Sequence, residues 1–115
     1  AASGRALTMP FDLQLTEVQR DDVRSFVNVA GFHERSAPGA RWLMCRYAEL
    51  AQARGFSHWN VVYPEHGSET LVLGFSNDAN AAPEQVFGAA YDAKRVLGER
   101  MAPVDRFATL CGFRR

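Results

Sequence analysis

The sequence has almost no lysine, only two cysteines and no net charge. Lys94 is the single lysine, and arginine supplies the rest of the 13 bases. That bias fits a GC-rich coding sequence. Thirteen acids balance those bases, so no overall field draws the chain to nucleic acid or to an anionic membrane. Neither is expected as a partner. No window approaches the ~18 continuous apolar residues of a membrane-spanning helix. The two cysteines, Cys45 and Cys111, are too few and too far apart for a zinc knuckle, a C-x-x-C motif or a cysteine-dense scaffold. They are either two unrelated buried thiols or one long-range disulfide, and a disulfide would imply an oxidising compartment. Also missing are a G-x-S-x-G nucleophile elbow, a G-x-G-x-x-G fingerprint and a P-loop. Gly31 and Gly39 bracket a loop better explained by turn chemistry than by a phosphate cradle.

What remains is an ordinary globular composition, 47% apolar and 23% charged over 115 residues, which suits one domain. Residues 1–10 read as a flexible, frayed segment. The opening Ala1-Ala2-Ser3-Gly4-Arg5 has no initiator methionine and looks processed. Residues 11–115 form the single domain.

Phe11 to Val18 alternates, with Phe11, Leu13 and Leu15 on one side and Asp12, Gln14 and Thr16 on the other, the period of a half-buried strand. Gln19-Arg20-Asp21-Asp22 reads as a polar turn. Val23 to Gly31 resumes strand character, with Val23, Val27 and Val29 on one face and Phe26 on the other, so the two strands should pair as a hairpin. Ser36 and Pro38 open a helix: the serine caps orphan amides and the proline needs no N–H in the first turn. Leu43, Met44, Tyr47, Leu50, Ala51 and Arg54 then recur at helical spacing, and Gly55 supplies the left-handed stop. The helix is placed at 37–54. Phe56 to Tyr63 is the next strand, closed by Pro64, and Glu69 to Ser76 is its hairpin partner.

Pro83 to Met101 carries Val86, Ala90, Ala93, Leu97 and Met101 on one helical face. Gly88 and Gly98 each cost roughly 1 kcal/mol inside a helix, so a shorter helix from Asp92 to Met101 stands as the alternative. Pro103 is read as its end. The tail from Val104 to Phe113 is apolar enough to pack, and Arg114-Arg115 should be solvated. The expected fold class is α+β: a two-layer domain with about four strands, one long helix on one face and a second C-terminal helix.

His33, His58 and His66 are the residues to test for chemistry. His58 and His66 flank a strand end and would reach a metal with Glu65 or Glu69. Zinc sites need three or four convergent ligands at short spacings, a pattern not met here, so surface histidines are the favoured reading and no cofactor or tight metal is expected. A Cys45 nucleophile with a histidine base lacks any family-type signature around either cysteine. Trp42 lies off the main apolar stripe, either as an exposed contact for a partner or beneath the C-terminal tail. The tail is favoured because it needs somewhere to pack. Cys45 also lies outside that stripe, beside Ala48 and Trp42, where a thiol makes poor core filler. A tail laid over the outer face of the helix would bring Cys111 to Cys45, so the disulfide is the expectation. It would close a loop of about 65 residues, worth roughly 4 kcal/mol on chain-entropy grounds.

Several phrases resemble a known family. Phe26 to Gly31 ends a strand, Arg46-Tyr47-Ala48-Glu49-Leu50-Ala51 forms a helix core, and Gly55-Phe56 leads into Trp59–Val62. A later Tyr91-Asp92-Ala93-Lys94-Arg95-Val96 completes the pattern. Together these are similar to a family of small proteobacterial envelope lipoproteins of unknown function. The resemblance implies a non-enzymatic, periplasm-facing module with a structural or interaction role. It implies an envelope protein as partner and a membrane tether only through a lipid anchor upstream of Ala1. It transfers no catalytic residue. The alternative function is a small-ligand or metal-binding module using His58, His66 and nearby carboxylates.

Overall fold

The computed structural model describes residues 13–113. The expected frayed segment 1–10, the strand residues Phe11 and Asp12, and the solvated Arg114-Arg115 lie outside the described residues. The sheet is built from β1 (Gln14–Arg20), β2 (Arg24–Ala30), β3 (His58–Val62), β4 (Thr70–Ser76) and the two-residue β5 (Ala102–Pro103). Its order is β1-β2-β4-β3-β5, and every neighbouring pair is antiparallel. Three helices accompany it: α1 (Ala37–Ala53), α2 (Pro83–Phe87) and α3 (Val104–Cys111). The α+β class stands, with five strands where about four were expected.

β1 and β2 form the expected hairpin, but β1 runs on through Gln19 and Arg20. The polar turn is shorter than expected because these side chains point to solvent and Arg20 closes on Glu17 at 2.6 Å. Asp21 then makes the turn, its carboxylate accepting the amides of Val23 and Arg24. The register shifts between Glu17 and Gln19, leaving Val18 as an extra, exposed residue in this edge strand. Such a bulge twists an edge away from further pairing.

α1 starts and stops where its residues dictate. Ser36 Oγ accepts the Gly39 amide at 3.1 Å, Pro38 sits in the first turn, and Gly55 takes φ 87°. Leu43, Tyr47, Ala48 and Ala51 are buried. Met44 and Leu50, expected inside the stripe, flank it half-buried. β2 and β3 run in the same direction with β4 between them, so β2–α1–β3 is a split β–α–β unit. The face under α1 carries Val27, Val29, Trp59, Val61, Leu71, Leu73 and Phe75, all fully buried.

The segment from Pro83 to Met101 is not one helix, nor does a helix start at Asp92. α2 lasts five residues and stops at Gly88, whose φ is 57°. The Asp92 carboxylate caps a turn instead, accepting the Lys94 amide at 2.8 Å and the Arg95 guanidinium at 2.9 Å. Beyond it the chain lies along β3: the Tyr63 amide donates to Arg95 O at 2.9 Å and the Leu97 amide to Val61 O at 2.8 Å. The fully buried Asn60 amide donates to Gly98 O at 2.9 Å. A buried strand must place its polar backbone groups, and two glycines weaken the helix that would compete for this stretch.

Pro103 begins rather than ends a helix. It precedes α3, which closes at Gly112 with φ 75°. The tail therefore does not lie over the outer face of α1. It sits beside α1 on the same sheet face, with Val104 buried in the common core. Trp59 receives Tyr47 from α1 at 5.8 Å between ring centroids and Phe107 from α3 at 5.2 Å. The opposite face is partly covered by α2. Phe87 is fully buried there over Gly74, where an added Cβ would meet Phe87 and Val86 carbons at 2.8 Å.

Candidate functional site

The two cysteines meet where α1 packs on α3. Cys45 and Cys111 are joined at an S–S distance of 2.02 Å with Cα atoms 5.7 Å apart. Both are half-buried. Cys45 reaches Cys111 because α3 fills the sheet area that α1 leaves open, which sets the last turn of α3 against the flank of α1. With its sulfur in a disulfide, Cys45 offers no thiol to a histidine base. Beside the bond lies an open apolar groove of about 350 Å³, lined by Arg41, Met44, Phe107 and Leu110. Leu110 is 73% exposed there. Trp42 is half-buried against the core, and the Arg46 guanidinium lies 5.9 Å from its ring.

His58 and His66 are not placed as the metal-binding alternative requires. His58 opens β3, its Nδ1 2.8 Å from Ser57 Oγ. His66 lies in the turn beyond the other end of β3, so the two do not share a site. The neighbouring carboxylates are engaged elsewhere: Glu65 lies 3.9 Å from Arg95, and Glu69 accepts the Gly31 amide at 2.8 Å. The residue that does approach His66 is His33, with ring centroids 6.4 Å apart. Among the described residues no group of three or more His, Cys, Asp or Glu side chains is placed to hold a metal.

A polar cluster at the other end of the molecule was not foreseen. Ser25 is fully buried on the α1 face. Its hydroxyl donates to Glu17 and accepts Arg54 Nη1 at 2.9 Å. Arg54 also donates to Arg24 O at 2.9 Å and to Asp21 O, so the residue read as the end of the apolar stripe instead ties α1 to the β1–β2 turn. Burial would raise the Glu17 carboxyl. Hydrogen bonds from Arg20 and Ser25, with the charges of Arg20 and Arg54, outweigh it and hold the group below its usual range. The available signal was Ser25 itself, a polar residue at an inward position of an alternating strand. Next to this cluster an open groove of about 540 Å³ runs between β1 and α1, lined by Leu15, Glu17, Arg46, Leu50 and Phe113 among others.

In the core, Tyr47 Oη and Trp59 Nε1 are buried without a hydrogen-bond partner. Burial pushes the Tyr47 phenol well above its ordinary range, with Tyr63 adding to the rise and Arg35 opposing it. These two groups sit in the packed centre and open onto neither groove. No protein-family model, curated protein or solved structure matches this chain.

Proposed function

We propose that this protein is a non-enzymatic module of the bacterial cell envelope. It faces the periplasm, is held at a membrane by a lipid anchor upstream of Ala1, and acts through contact with another envelope protein. The Cys45–Cys111 bond carries this reading. A disulfide clamping the C-terminal helix of a small domain persists in an oxidising compartment and is rare in the reducing cytosol. The likeness of Arg46–Ala51, Gly55-Phe56 and Tyr91–Val96 to envelope lipoproteins supplies the anchor and the non-enzymatic role. The exposed apolar groove beside the disulfide is the surface this reading gives to the partner.

The test is expression of the native gene in its own cells, followed by fractionation and mass spectrometry of unreduced, alkylated protein. The expected result is a membrane-associated, periplasm-facing protein with no alkylated cysteine and a lipid-modified residue ahead of Ala1. A cytosolic protein with two alkylated thiols overturns the proposal.

A further inference from the structure

We propose that His33 and His66 form a two-imidazole site for an exchangeable late first-row divalent cation such as Zn²⁺ or Ni²⁺, with water completing the shell. The topology brings them together. β2 and β3 run in the same direction, so the loops leaving their C-terminal ends open at the same end of the sheet. His33 lies in the first of these loops and His66 in the second. β4 begins between them and locks the arrangement: the Val29 amide donates to Glu69 O at 2.8 Å and the Gly31 amide to the Glu69 carboxylate at 2.8 Å. Two imidazoles holding one ion at about 2.0–2.1 Å place their ring centroids roughly 5–6.5 Å apart. The observed separation is 6.4 Å, the far end of that range, where the rings stand on opposite sides of the ion; a tetrahedral ion draws them about 1 Å closer, a movement open to two exposed side chains.

The surroundings of His33 match what a metal-binding imidazole needs. Its Nε2 lies 2.6 Å from Ser68 O. A carbonyl only accepts, so Nε2 carries the hydrogen, and neutral His33 keeps its lone pair on Nδ1. A backbone carbonyl on the nitrogen that faces away from the ion fixes the tautomer and orients the ring of a ligating histidine. The buried Phe32 ring holds His33 edge-on at 5.3 Å. Both histidines are exposed, so an ion keeps its remaining waters and pays little desolvation. Imidazole nitrogen favours zinc, copper and nickel over calcium or magnesium. Cys45 and Cys111 offer no competing thiolate while they are joined.

The experiment titrates Zn²⁺ and Ni²⁺ into untagged, disulfide-bonded protein by calorimetry, with the histidine ring resonances followed by NMR during the Zn²⁺ titration. One ion per chain is expected, moving the His33 and His66 resonances together and leaving His58 in place. His33→Ala and His66→Ala should each weaken binding by about tenfold or more, whereas His58→Ala should leave it unchanged. Circular dichroism establishes that each variant is folded, and His66→Gln replaces any alanine variant that is not. Absence of binding up to about 1 mM overturns the proposal. So does affinity kept within twofold after loss of His66, or a site that depends on His58.

Discussion

One sheet is covered in two different ways, and the contrast explains which parts of the fold a sequence announces. On the first face α1 presents a continuous side-chain stripe, Leu43, Tyr47, Ala48 and Ala51, with α3 seated alongside and a disulfide between them. On the second face the cover is a five-residue helix, and the chain that follows is pinned through its backbone along the outer edge of β3. Phe87 fills the hollow over Gly74, while Arg95, Leu97 and Gly98 exchange hydrogen bonds with Tyr63, Val61 and Asn60. The first cover is held by side-chain packing and a covalent bond, the second by one aromatic ring, and the chain beyond it by a row of main-chain contacts along the sheet edge.

The largest expected effect tests the covalent part of the first cover. Replacing both Cys45 and Cys111 with serine should cost about 4 kcal/mol in urea denaturation, the chain-entropy value for a loop of this length. A loss under about 1 kcal/mol would mean that packing alone holds α3 to α1. Next, Leu43→Ala and Phe87→Ala should each cost ~2–5 kcal/mol, because each removes a fully buried side chain from one of the two covers. If Phe87→Ala costs under about 1 kcal/mol while Leu43→Ala does not, the second cover contributes little and the fold is two-layered in energy as well as in outline. The smallest effect is at Gly74. Gly74→Ala should cost ~1–3 kcal/mol by overpacking against Phe87, and the combination with Phe87→Ala should recover part of that loss. Full additivity of the two would show that the ring and the glycine do not depend on each other.

α1 was legible because three independent residues agree on its ends and one stripe fixes its face. Ser36, Pro38 and Gly55 act locally, within a turn of where they stand. Pro83 to Met101 was illegible for the opposite reason. Its 3.6-residue spacing of Val86, Ala90, Ala93, Leu97 and Met101 was real, but the free backbone groups of β3 lie more than 30 positions away and outcompete a helix weakened by Gly88 and Gly98. Pro103 is compatible with the end of one helix and the start of another, and only the pairing of Ala102 and Pro103 with Trp59 and His58 separates the two. The cysteine pair could be inferred because Cys45 sits off the stripe, although the route taken by the tail was different. His33 and His66 could not be paired from sequence, since their proximity depends on two parallel strands with a third inserted between them. His58 and His66 are close in number, but an extended strand carries them to opposite ends of the sheet.

The disulfide also decides how this molecule would bear load. It closes a ring from Cys45 to Cys111, a sequence separation of 66 residues. β3, β4, α2 and β5 lie inside it. β1, β2 and the first half of α1 lie outside. Tension applied at the two ends enters through β1, runs to Cys45, crosses the sulfur bridge to Cys111 and leaves by the tail. The strands inside the ring carry none of it along their backbone. At about 3.3–3.6 Å per residue, an oxidised chain withholds roughly 220 Å of extension across those 66 residues. Stretching it peels the β1–β2 hairpin from β4, unwinds α1 as far as Cys45 and stops. After reduction the same pull pays out the whole domain.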